Sequence, residues 1–204
     1  MRYLFVIAAV VAVCFGVTFA SEYQARTGDI LFQTTDTPQS MAIQLATKSP
    51  YCHVGIVFVQ GGKPFVLEAL EPVKFTPMNQ WITRGVNNHY VAKRLVDADS
   101  ILTTDNIAKL LAAGKSLDGK SYDIYFQWSD STIYCSELVW KVYQRALGIE
   151  LGKPGKLKDF DLKNPVVAAK LTERFGQKVP YEETVVAPST IFDSPLLKTV
   201  YENK

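Results

Sequence analysis

Ile133-Tyr134-Cys135-Ser136-Glu137-Leu138-Val139-Trp140 sets a cysteine at the threshold of an amphipathic helix. Behind it Leu138, Val139, Val142, Tyr143 and Ala146 recur with the i, i+3, i+4 spacing of one buried face. Gly148 follows the last of these turns and reads as the helix terminator. A thiol at that end meets unpaired backbone N–H groups and the positive end of the helix dipole, and both favour the thiolate. An unpaired cysteine is otherwise a small buried apolar residue, so its neighbours in the fold decide what Cys135 does.

The chain has 204 residues, 48% hydrophobic and 21% charged, enough to bury the core of one domain. Its 22 basic and 20 acidic residues are interspersed, and no Lys/Arg block points to nucleic acid. Met1-Arg2-Tyr3, the apolar run Leu4 to Val17 and then Thr18-Phe19-Ala20 read as a secretory signal peptide over residues 1–20. Residues 21–204 are then a single exported domain, periplasmic or extracellular. The apolar run is short for a membrane span, so no stable insertion is expected after cleavage. Cys14 leaves with the leader, and Cys52 and Cys135 remain. A disulfide between them is the chief structural alternative to a working thiol. Neither C-x-x-C nor Cys/His pairs at zinc spacing occur, so no metal is expected.

Working outward, Thr27 to Gln33 predicts a turn and a first strand, and Thr37-Pro38 opens a helix that stops near Ser49-Pro50. Tyr51 to Val59 and Pro64 to Leu70 are β-branched and aromatic runs around Gly61-Gly62, a hairpin signal. A two-residue loop sets Gln60 opposite Lys63, Gly55 opposite Glu68 and His53 opposite Leu70. His53 and Glu68 then share a face as diagonal neighbours, with Gly55 leaving space between them. Cys52, Val54, Ile56 and Phe58 take the other face, which argues against a Cys52–Cys135 bridge. A lone strand histidine is more often structural. Glu68, however, sits in an otherwise apolar strand where an unpaired carboxylate is costly, and His53 is its nearest partner.

Val73 to Arg84 is mixed in pattern and reads as irregular chain with a short helix around Trp81. His89 to Leu95 predicts a third core strand, with His89 structural at its start. A helix runs from Thr104-Asp105 to about Gly114, and the aromatic run Ile124 to Trp128 delivers the chain to Cys135. One more helix has Asn164 as cap, Pro165 at its first position and Gly176 beyond its end. The Pro-rich tail to Lys204 reads as irregular and without chemistry.

Gly28-Asp29-Ile30, Tyr51-Cys52-His53-Val54-Gly55 and the block from Tyr134 to Val139, in that order, resemble the circularly permuted papain-like amidases of the YiiX/YaeF type. These are related to NlpC-type cell-wall peptidases and more distantly to the lecithin:retinol acyltransferases. The resemblance runs from Gly28 to about Asp193. It implies an α+β, permuted papain-like fold: an antiparallel central sheet packed against helices, with the nucleophile at a helix N-terminus. Carried over by position, the nucleophile falls on Cys135, the base on His53 and the orienting acid on Glu68. The resemblance further implies amide hydrolysis through a thioester, without cofactor or metal. The substrate it implies is a peptide or peptide-like amide such as a cell-wall fragment.

Tyr122 and Tyr134 are candidate oxyanion donors beside the Cys135 backbone N–H, and Asp123 joins them as a candidate substrate contact. The chain lacks the Asn-Cys-Glu-His block of the acyltransferase branch, and its third member is an acid where that branch has a histidine. Both differences favour amide hydrolysis over lipid acyl transfer. The rivals are a thioesterase or acyltransferase acting on acyl lipids, and an inert binding module on the same fold. Nothing in the sequence fixes the oligomeric state.

Overall fold

Gly61 and Gly62 have φ of 56° and 76°, the left-handed pair that a two-residue hairpin loop requires. The strands on either side pair from Gln60↔Lys63 to Ile56↔Leu67, the register that loop length dictates. This hairpin lies within a computed structural model that describes residues 23–203. The leader expected over residues 1–20 lies outside the described residues.

In chain order the elements begin with β1 (Ile30–Gln33), α1 (Pro38–Thr47), β2 (His53–Gln60), β3 (Lys63–Glu68), β4 (Lys74–Pro77) and α2 (Met78–Ile82). β5 (Val91–Leu95), α3 (Ala98–Ile101) and α4 (Thr104–Lys115) follow, then two-residue strands β6 (Ser121–Tyr122) and β7 (Thr132–Ile133). α5 (Cys135–Leu147), β8 (Gly155–Lys156), α6 (Pro165–Phe175), β9 (Thr184–Val185), α7 (Pro188–Phe192) and β10 (Leu197–Glu202) complete the fold. The main sheet has the order β10-β5-β1-β2-β3-β4, and every neighbouring pair is antiparallel.

Alternation along β2 divides the interior in two. Val54, Ile56 and Phe58 pack with Leu138, Val139 and Val142 of α5 in the larger core. Val57 faces the other way, into a smaller cluster with Leu31, Val66 and Trp81. Because α5 lies against one face of β2, its first residue is brought to the first residue of that strand. This is the α+β arrangement expected from the sequence, an antiparallel central sheet packed against helices with Cys135 at a helix N-terminus.

Three differences from the sequence reading have physical causes. β3 ends at Glu68 rather than continuing to Leu70, so no His53–Leu70 pair forms. The segment read as irregular holds β4, whose Thr76 pairs with Val66, ahead of α2. A four-residue edge strand ending in proline gives too short an alternation to be seen. The tail holds α7 and the edge strand β10, which pairs with β5 through a register shift between Thr199 and Tyr201. Its half-exposed residues lack an apolar run.

Candidate active site

Helix α5 starts where it does because Tyr134 is extended, at φ −106° and ψ 168°, and Glu137 reaches back to accept its N–H at 3.4 Å. At the other end Gly148 adopts φ 68° and gives its N–H to Gln144. The first backbone N–H turned into the helix is that of Leu138, onto Tyr134 O. The N–H groups of the opening turn therefore surround Cys135, where a negative charge is favoured.

Cys135 Sγ lies 3.9 Å from the carbonyl oxygen of Cys52, and His53 follows directly in β2. Nε2 of His53 is 2.7 Å from Oε2 of Glu68, which leaves Nδ1 as the ring nitrogen available to the thiol. The ring stacks on Trp81, with centroids 6.0 Å apart. Glu68 is wholly buried. Its second oxygen accepts a 2.5 Å hydrogen bond from Thr76 Oγ1 and another from the Arg84 guanidinium. Gly55 makes the approach possible, since a Cβ there would stand 2.5 Å from Val66 Cγ1 and 2.9 Å from Leu67 O.

These contacts set the protonation. Burial alone lowers the pKa of His53, but the Cys135 and Glu68 side chains outweigh it and push it up to about 10. Burial likewise opposes charge on Glu68, yet His53, Thr76 and Arg84 hold its carboxyl below the ordinary range. The positively charged ring of His53 is thus favoured between the Glu68 carboxylate and the Cys135 side chain, at a helix N-terminus where negative charge on sulfur is also favoured.

Cys135 also forms part of the wall of a cavity between α1, α6, the start of α5 and the segments 157–162 and 185–188. The cavity holds about 710 Å³ of empty space, its open mouth included. Ala42, Ile43, Leu157, Phe160, Val167 and Val186 represent its walls, and among the described residues its only charged side chains are Lys170 and Arg174. An apolar group bonded to a carbonyl at Cys135 would therefore be seated out of water.

The candidate oxyanion and substrate residues divide. Tyr122 lies within electrostatic reach of Cys135, and its hydroxyl accepts from Gln39 Nε2 at 2.8 Å, leaving its own proton to give. Tyr134 forms cavity wall, and its hydroxyl is engaged by the Val186 N–H at 3.1 Å. Asp123 is turned elsewhere: its two oxygens each accept a backbone N–H at 2.7 Å, from Tyr125 and Gln127. That shapes the aromatic loop, and Asp123 is not part of the cavity. Cys52 accepts the Thr35 N–H at 3.2 Å, and both cysteines are free thiols.

Residues 24–201 match the profile of the permuted papain-like amidase enzymes, YaeF/YiiX, C92 family. The chain belongs to this family. It is 49% identical over 181 residues to the uncharacterized protein YiiX of Escherichia coli K12, which spans 89% of this chain and 88% of that one. A crystal structure described as that of metalloprotein yiiX from Escherichia coli O157:H7 superposes with a TM-score of 0.85 at 50% identity. The match covers 89% of this chain and 99% of that one. Among the described residues of this family member, no group of three or more His, Cys, Asp and Glu side chains is placed to hold a metal ion.

Sequence reasoning missed three residues of this permuted papain-like site. Thr76 was hidden with its strand; once β4 is seen, its alternation puts Thr76 on the Glu68 face. Trp81 lies in the smaller cluster beneath the imidazole, and only the fold brings it there. Arg84 follows α2 in irregular chain and carried no local signal at all.

Proposed function

We propose that this protein is an exported cysteine amidase that cleaves acyl amides through a Cys135 thioester. Export is supported by the leader-like segment from Met1 to Ala20. The observation that carries the chemistry is His53, interposed between the Cys135 thiol and the buried Glu68.

In the first half-reaction the Cys135 thiolate attacks the substrate carbonyl carbon, forming a C–S bond. The oxyanion is met by the Cys135 backbone N–H and by the Tyr122 hydroxyl. The His53 imidazolium then gives its proton to the departing nitrogen as the C–N bond breaks. In the second half His53 takes a proton from water, the hydroxide adds to the thioester carbonyl, and the C–S bond breaks to release the acid, restoring the Cys135 thiolate beside the His53 imidazolium. Glu68 keeps the ring oriented and stabilises its charged form throughout.

A second reading is favoured by the cavity. The same triad would serve a thioesterase or acyltransferase on acyl lipids, since an apolar chamber beside the nucleophile suits a fatty acyl group as well as an apolar peptide side chain. Hydrolysis assays on acyl amides, acyl esters and short peptides, run side by side, separate the readings.

The triad itself is tested by the pH dependence of Cys135 alkylation by iodoacetamide, with Cys52→Ser in every sample. A thiol pKa well below the free value of about 8.5, lost in His53→Gln, is the expected result. A slow thiol indifferent to His53 would overturn the mechanism and favour an inert binding module.

A further inference from the structure

Arg174, in the last turn of α6, lines the same cavity as Cys135. Its guanidinium lies over the Phe126 ring, 4.9 Å from the centroid, and one of its nitrogens donates to Gln39 Oε1 at 3.1 Å. The other end of the Gln39 amide donates to Tyr122 at 2.8 Å, so both partners fix which way that amide faces. Arg174 is thus clamped from two sides, yet among the described residues only one of its donor groups is occupied. Among the described residues it forms no ion pair, and the neighbouring Glu173 pairs with Lys170 instead. A guanidinium drawn partly out of water gains from an anionic partner, and more so the further it is buried. Burial here pulls the Arg174 pKa below its ordinary value, and Tyr122, Glu173 and Asp123, none of which lines the cavity, offset that cost only in part.

Resting on the acyl-amide reading above, we propose that Arg174 is the anion-recognition residue of the substrate site. It takes amides that join an apolar acyl group to a carboxylate or phosphate near the scissile bond. Among the described residues the cavity wall holds two cations, Arg174 and Lys170, and no acid. Phe126 and Gln39 hold the guanidinium in place, and its remaining N–H groups have the fork geometry that can grip an anion through two hydrogen bonds. An amphiphile with its apolar part in the cavity and its anion at Arg174 satisfies the apolar walls and the unpaired charge together. Through Gln39, the same clamp steadies Tyr122.

A purely structural Arg174, pinning α6 to α1 and the aromatic loop, would not distinguish charged from neutral ligands. The test therefore uses matched pairs. N-octanoylglycine, neutral N-octanoylglycinamide and octyl phosphate are titrated calorimetrically into Cys135→Ala protein, which binds without turnover. The carboxylate is expected to bind about tenfold more tightly than the neutral amide, an advantage absent in the double variant with Arg174→Gln and partly kept with Arg174→Lys. Tighter binding of octyl phosphate than of N-octanoylglycine would identify phosphate as the preferred anion. Equal affinity for charged and neutral ligands, a preference untouched by Arg174→Gln, or no binding at all would overturn the proposal. Hydrolysis of N-octanoylglycine by the unaltered enzyme is measured separately. Its absence counts against the amidase reading alone, because the binding comparison needs no chemistry.

Discussion

Nε2 of His53 stands 2.7 Å from Oε2 of Glu68, while Thr76 and Arg84 hold the carboxylate's other oxygen. The ring is oriented by a group that is itself held at both oxygens, so the charge on Glu68 sustains the proton on His53. Glu68→Gln keeps the shape and removes that charge. Turnover should fall by about 10²- to 10⁴-fold. The pKa of His53 should fall with it, moving the alkaline limb of the kcat/KM profile to lower pH. A limb that stays in place would show that Glu68 is not the source of His53's basicity.

The same pair makes stability depend on pH in a definite direction. His53 has a folded pKa of about 10 against about 6.5 unfolded, so its stabilising contribution is complete below about pH 6.5 and lost as pH rises toward 10. Glu68 is shifted down, so its contribution is present above its unfolded value and lost only in acid. The Tm advantage of the unaltered protein over His53→Gln should therefore shrink between about pH 6.5 and about pH 10. An advantage that grew across that window would contradict the ion pair.

Replacing the two reactive residues should have unequal structural costs. The Cys135 thiol is small, lies beside His53 and is 3.9 Å from Cys52 O, so Cys135→Ala should cost about 1 kcal/mol. His53→Ala strips a partner from the wholly buried Glu68 and should cost about 3 kcal/mol or more, moderated by Arg84. Both should abolish turnover. Denaturant unfolding checks the inequality, and equal costs would mean that the His53–Glu68 contact contributes little to folding.

The His53–Glu68 pairing was legible in the sequence because a two-residue loop leaves the register no freedom, and alternation then assigns faces. Cys135 was legible because helix periodicity begins at its position and Gly148 ends it. What surrounds them was not. Thr76 and β10 lie on short edge strands whose pattern is too brief to stand out. The Asp123 carboxylate looked available as a contact, but it is spent on two backbone N–H groups of its own loop, a local satisfaction that composition does not reveal. The cavity and Arg174 arise from α1 meeting α6, two helices separated by more than a hundred residues, and no local pattern encodes that meeting.

Gly55 offers a test of the close approach of β2 and β3. Its backbone is ordinary for a strand, so the constraint is space and not φ. An alanine Cβ at 2.5 Å from Val66 Cγ1 and 2.9 Å from Leu67 O must push β3 away, at a cost of about 1–3 kcal/mol. Because Glu68 follows Leu67, the displacement reaches the His53 contact. Gly55→Ala should lower Tm and also reduce kcat, with KM little changed. Lost stability with unaltered kcat would show that the strands can part without disturbing the triad.

Ala46→Phe tests whether the cavity receives the acyl group. Ala46 lines the cavity from α1, so a phenyl ring there enters empty space and need not displace packed core. Helix propensity falls only slightly, by about 0.5 kcal/mol, and Tm should barely move. The ring removes room that a long acyl chain needs and an acetyl group does not. The kcat/KM for an octanoyl amide should then fall about tenfold or more, since several buried CH₂ groups lose their place, while that for the acetyl analogue is unchanged. A parallel loss for both substrates would mean that Ala46→Phe disturbs Cys135 itself. Unchanged values for both would place the acyl chain elsewhere and remove the argument for an apolar substrate.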